Sequence, residues 1–296
     1  MSQPVSPSSS SIEAPARGGT IDLIDNLDEM PSLPMSYLEI KREVNNPASS
    51  LSRIGEVISK DQSLTLRLLR LANSAFFGFP RRIDTISEAI SVIGLQQVRD
   101  LALCTKVIEM FRGIPADLLE TTPFWMHSVG CGIAARVLAA HQRETNLERF
   151  FVAGLLHDVG RLVLCLRQPE AMRNILQRAR QQKEPLHKVE REFMGYDHTD
   201  VGAALLKAWD LPAPLVNAVS YHHRPLINTA SPNDAAIIHL ADIFAHGMEL
   251  GKSGEHYVPP LASGAWKREP TVFNSAMKEI DRQFAEVSGI FLSLKN

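Results

Sequence analysis

Residues 153–162 read AGLLHDVGRL and set a histidine and an aspartate, His157 and Asp158, side by side inside an otherwise apolar segment. A carboxylate buried without a partner is expensive, so it demands a cation, a network of donors or a shifted pKa. The stretch therefore predicts either a site that holds something or a fold that keeps the frame of one.

The surrounding pattern is helical throughout. Downstream of Pro115 the apolar spacing predicts helices over about 122–142, 148–159, 168–183, 199–208, 212–222, 234–248 and 270–290. Upstream, Leu51, Ile54, Val57 and Ile58 share one face, and the leucines of residues 64–71 predict a helix buried on more than one side. A proline stop and apolar spacing in PSLPMSYLEIKREVNN predict an earlier helix; Thr85 followed three residues later by Glu88 fits a capping box, and a further helix runs from about Leu95 to Phe111. Phe76, Phe77 and Phe79, beside the breakers Gly78 and Pro80, are expected to wedge helices together. With no strand alternation and no fixed repeat, the fold class is all-α, in two helical lobes. Residues 1–20, rich in Ser, Pro and Gly, are expected to be a disordered tail, 21–115 an N-terminal lobe, and 116–296 a second lobe ending in a long helix.

Composition narrows the function classes. The 31 basic and 33 acidic residues leave a formal net charge of -2, with no wide basic footprint for direct contact with nucleic acid. No apolar run approaches the roughly 20 residues that cross a bilayer, so no membrane partner is expected. The three cysteines, Cys104, Cys131 and Cys165, form no CxxC pair and sit in apolar helices, which suits a reducing compartment; the expected location is cytoplasmic.

The candidate chemistry lies in a series of histidines and aspartates. His127 shares a helical stripe with Phe124, Cys131, Ala134 and Leu138, and is followed by His157 and Asp158, by His198 in GYDHTDVG, by His222 and His223 in VSYHHRP, and by Asp242 in IIHLADIFA. Imidazole and carboxylate together suit Zn, Mn, Fe or Ni, and a carboxylate between two cations can bridge them. His239 and His246, three before and four after Asp242, are neighbours that could support that carboxylate. The bland reading is a buried polar network in which the histidines donate to Asp158 and Asp242 and no metal binds.

The order H, HD, H, HH, D resembles the HD superfamily of metal-dependent phosphohydrolases, most closely its HDOD branch. The stretch LSRIGEVISKDQSLTLRLLRLANSAFFGFPRRIDTISEAISVIGLQQVRDL, residues 51–101, carries that likeness with an Asp before a leucine-rich helix, the ANSA turn and the AI..IG helix. The resemblance implies an all-helical output or regulatory module of bacterial signalling that acts on a signalling protein partner. It also implies two divalent transition metal ions (Fe, Mn, Zn or Ni), one held by His127, His157, Asp158 and Asp242 and the other by Asp158, His198, His222 and His223. Three departures matter. The related branch that hydrolyses cyclic di-GMP follows its double histidine with a glutamate and a GYP segment, whereas here Arg224 opens RPLINTASP; its HDxGK lysine is replaced by Arg161; and Pro123 stands where a third metal would need a glutamate. Arg161 keeps the charge and is the expected phosphate-binding residue. A nucleotide or cyclic dinucleotide ligand, metal-dependent phosphodiester hydrolysis, and a di-iron redox sensor using Cys131 stay open as alternatives to a non-catalytic module.

Overall fold

The computed structural model describes residues 30–111, 113–227, 232–264 and 271–292. The expected tail and the expected ordered start near Ile21 lie outside them. Among the described residues the secondary structure is helical, with no strand, as expected for an all-α chain.

Five helices build the N-terminal part: α1 (Met35–Val44), α2 (Leu51–Ser59), α3 (Gln62–Ala72), α4 (Ile86–Ile93) and α5 (Leu95–Met110). Asp61 starts α3 by accepting from the Leu64 N–H, and Thr85 starts α4 by accepting from the Glu88 N–H. The Glu88 carboxylate turns to the Asp84 N–H, one residue short of a closed capping box. Leu64, Leu68 and Leu71 are almost wholly buried, each contributing roughly 1.5–3 kcal/mol of transfer free energy. Phe76 packs edge-on against Phe77 and Phe151, and the Arg136 guanidinium lies 4.1 Å over its ring, so the ANSA turn does wedge one part of the molecule against the other.

The second part comprises α6 (Thr121–His141), α7 (Leu147–Leu156), α8 (Val159–Arg167), α9 (Pro169–Gln182), α10 (Leu186–Met194), α11 (His198–Ala208), α12 (Ala213–Tyr221), α13 (Pro232–Gly247) and α14 (Thr271–Leu292). Two of these, α8 and α10, are not in the sequence reading. α6 is the axis: it is buried on nearly all sides and packs against α7, α13 and α14. α5 packs on α7, α14 reaches α3, and one continuous apolar cluster runs from Met30 to Phe291 through both parts. No helix among the described residues is long and apolar enough to cross a membrane.

Two close helix crossings bring the site together. A Cβ on Gly154 would lie 2.7 Å from the Cys131 carbonyl oxygen, so only glycine lets α7 reach α6 there. A Cβ on Gly160 would meet the His198 carbonyl oxygen at 2.0 Å, so the glycine after HD lets α8 touch the start of α11.

Candidate metal centre

The helix break falls at the HD pair: His157 ends α7 and Asp158 begins α8. The His157 Nδ1 donates to the Gly154 carbonyl at 2.7 Å, satisfying an orphan carbonyl of the helix end and leaving Nε2 as the free ring nitrogen. His222 repeats the device at the end of α12, its Nδ1 donating to the Val219 carbonyl at 2.8 Å. His198 sits at the first turn of α11, where Glu190 of α10 accepts from both its backbone N–H at 2.9 Å and its Nδ1 at 2.6 Å. Each of these bonds fixes which imidazole nitrogen faces inward.

All seven expected residues converge. His198 Nε2 lies 3.0 Å from Asp158 Oδ1 and 3.1 Å from His223 Nε2, with His222 Nε2 3.7 Å from the same Asp158 oxygen. On the other side His157 Nε2 is 3.4 Å from Asp158 Oδ2 and 3.5 Å from Asp242 Oδ1, and His127 Nε2 is 3.0 Å from Asp242 Oδ1. His246 joins this side, its Nε2 3.3 Å from Asp242 Oδ1. The groups whose ligand atoms fall within 4.8 Å of one another are Asp158–His198–His222–His223, His127–His157–Asp158 and His127–Asp242–His246. Asp242 thus shares its nearest grouping with His246, expected from the sequence only as a neighbour of that carboxylate. His239 turns away: its Nδ1 donates to the His222 carbonyl and its Nε2 accepts from the Ala262 N–H.

Buried atoms without partners test the fit to metal. His157 Nε2, His222 Nε2 and Asp158 Oδ1 have no hydrogen bond although they are buried, and an orphaned buried polar group is costly unless something binds it. Two ligand atoms each about 2.1 Å from one ion, at a right angle, lie about 3.0 Å apart. The observed 3.0 and 3.1 Å around His198 Nε2 equal that spacing, which is also the spacing of a hydrogen bond, so the orphaned atoms carry the fit. The residues present fit a divalent ion.

Arg161 is the part whose direction the sequence did not convey. It is 2% exposed, and its Nη1 donates to Asp158 Oδ2 at 2.6 Å and to the Ser253 carbonyl at 2.8 Å. Its Nη2 lies 3.3 Å from both ring nitrogens of His198. The guanidinium is therefore spent inward. Ser253 belongs to the segment after α13 that crosses the site. There Gly251, at φ 115°, leaves no room for a Cβ beside the His127 N–H, and Lys252 N–H donates to the Pro123 carbonyl.

The electrostatics follow from burial and pairing. Burial alone would raise the Asp158 carboxyl, but Arg161, His157 and His198 outweigh it and hold it well below the usual range. Burial works against a charge on His198, yet Glu190 and Asp158 lift it to about 9. His222 is pushed down to about 3 by burial and by His157, and burial with the neighbouring His222 pushes His223 down as well.

The HDOD domain model matches residues 30–225, about two thirds of the chain. The chain belongs to the HDOD family. An uncharacterised Treponema pallidum protein is 31% identical over 219 residues, which is 71% of this chain but 42% of the relative's length. Among solved structures, a Shewanella amazonensis protein, provisionally described as a phosphohydrolase, superposes with a TM-score of 0.75 at 24% identity, covering 92% of this chain and 99% of its own. An HDOD protein of unknown function from Geobacter sulfurreducens gives 0.74 at 24% identity, covering 92% and 98%. At that identity the likeness shows the fold, and the chain shares the helical HDOD architecture.

Proposed function

We propose that this HDOD chain is a signalling module whose buried centre holds divalent transition metal ions and whose output is contact with a protein partner in the cytoplasm, not turnover. What carries the reading is enclosure. His127, His157, Asp158, His198, His222 and Asp242 are each at most 3% exposed, and of the seven only His223 is partly exposed. Arg161, the residue expected to grip phosphate, is tied to Asp158 and the Ser253 carbonyl instead. A phosphodiester would need that guanidinium released and the crossing segment moved.

The ligands come from α6, the α7–α8 junction, α11, the end of α12 and α13, so two ions sharing Asp158 would tie these helices together. Divalent ions in such a centre supply positive charge that polarises a phosphoryl oxygen when one is within reach. Here that charge would compensate Asp158 and Asp242 and hold together the helices that carry the ligands. The free, buried state of Cys104, Cys131 and Cys165 suits the reducing location.

Metal-dependent phosphodiester hydrolysis is the second reading, favoured by the Arg161 charge beside the carboxylate that faces both half-sites. The deciding experiment is turnover of bis(4-nitrophenyl) phosphate and of cyclic dinucleotides by protein loaded with iron or manganese. The rate expected is the free-metal background, the same for wild type and His157→Ala. A rate in the wild type that His157→Ala removes would make the chain a phosphohydrolase.

A further inference from the structure

A second concavity, of about 390 Å³, opens between the two parts of the molecule, away from the metal centre. That volume lies within the roughly 300–1,000 Å³ of small-molecule sites, which favour such junctions. Its floor is apolar and buried, built from Tyr37 of α1, Leu103 of α5, Phe150 and Ala153 of α7, and Ala218 of α12. α7 and α12 are the helices that end in His157 and His222, so the concavity sits on the shafts that present the metal ligands.

The charges around it cancel. Lys41 is paired with Asp210 at 2.8 Å, Arg99 with Asp100 at 2.7 Å, and Arg149 with Asp234 at 3.2 Å, so a phosphate would have to compete with a carboxylate at each cation. Acceptors are left over beside these pairs. Asp100 and Asp234 each receive their arginine on Oδ1 alone. Among the described residues no hydrogen bond reaches their Oδ2 atoms or the side-chain amides of Asn45, Gln96 and Asn146, all of which line the same space. Burial raises both carboxyls in spite of their arginines, so each welcomes a donor. Carboxylates of this kind accept ribose hydroxyls, and primary amides read the edge of a purine through paired donor and acceptor. An apolar floor takes the face of the base.

We propose that this inter-lobe cleft binds an uncharged purine nucleoside. Isothermal titration of the full chain with adenosine, guanosine, their 5′-monophosphates and cyclic dinucleotides tests it, with and without chelator because no expected metal ligand lines the cleft. One nucleoside is expected to bind, and its monophosphate and the cyclic dinucleotides to bind at least about tenfold more weakly, since phosphate finds only paired cations. Ala153→Trp, which fills the floor, is expected to abolish binding, and the milder Asp100→Asn to weaken it about tenfold or more with unchanged circular dichroism. Failure of every nucleoside to bind, equal or tighter binding of the phosphorylated forms, or undiminished binding by folded Ala153→Trp or Asp100→Asn would overturn the proposal. The chelator arm keeps this outcome separate from the fate of the metal reading.

Discussion

The molecule contains two buried clusters of charge, and they differ in what they leave unspent. In the N-terminal part, Asp61, Arg67, Lys106 and Glu109 form a closed quartet of two cations and two anions. Arg67 Nη1 meets Glu109 at 2.5 Å, and Lys106 meets Glu109 at 2.8 Å and also bonds Asp61. None of the four has a buried side-chain atom without a partner. The HD cluster is more deeply buried and leaves His127 Nδ1, His157 Nε2, His222 Nε2, Asp158 Oδ1, Arg161 Nε and Glu190 Oε1 orphaned. A charge cluster that serves only the fold closes on itself. One that serves a ligand keeps lone pairs aimed at one place, as His157 Nε2, His222 Nε2 and Asp158 Oδ1 do.

The contrast breaks most sharply at Asp158. Asp158→Ala is expected to reduce bound metal from about two ions per chain to none, read by elemental analysis, because its carboxylate faces both half-sites. Gly160→Ala should come next. A methyl 2.0 Å from the His198 carbonyl forces α8 and α11 apart, and urea denaturation should record a loss of about 3 kcal/mol. In the closed quartet, Lys106→Met strands Asp61 and half of Glu109. A buried pair broken this way costs about 3–5 kcal/mol, reduced here to about 2 because Asp61 and Glu109 are 24% and 21% exposed. Metal content should be unchanged in that variant. Glu190→Gln keeps the shape but weakens the bond that orients His198, so metal affinity should fall about 10–100-fold in a competition titration.

The smallest effect is a pH dependence confined to the quartet. Burial tends to raise the Asp61 carboxyl, but its bonds from Lys106 and the Leu64 N–H lower it below the ordinary value. A depressed folded value means its stabilising contribution is present above about pH 3.9 and is lost as pH falls through the folded value. The stability gap between wild type and Asp61→Asn should therefore be constant near neutrality and narrow on acidification below about pH 4, measured by urea midpoints.

Much of this was legible in the sequence, for reasons particular to certain residues. His157, Asp158, His198, His222 and His223 sit at helix ends, where apolar spacing stops, so the motif order and the helix boundaries carried the same message. The break at HD itself was not legible: the apolar run of residues 147–167 has no proline, and its glycines serve helix crossings, so α8 merged into its neighbours. α10 hid in the charged stretch KEPLHKVEREFM, and Glu190 with it. The signal was there in Pro185 followed by Leu186, Val189 and Phe193 at helical spacing. The inward turn of Arg161 and the seat of Ser253 depend on contacts 92 residues apart, which no local pattern encodes.

The central claim is that the orphaned His157 Nε2, His222 Nε2 and Asp158 Oδ1 belong to metal. Inductively coupled plasma mass spectrometry of untagged protein purified without chelator, beside His157→Ala and Asp158→Ala, addresses it directly. The account predicts about two transition metal ions per chain in the wild type, lost in both variants. A wild type that arrives empty and takes up neither iron, manganese nor zinc when they are added would contradict it.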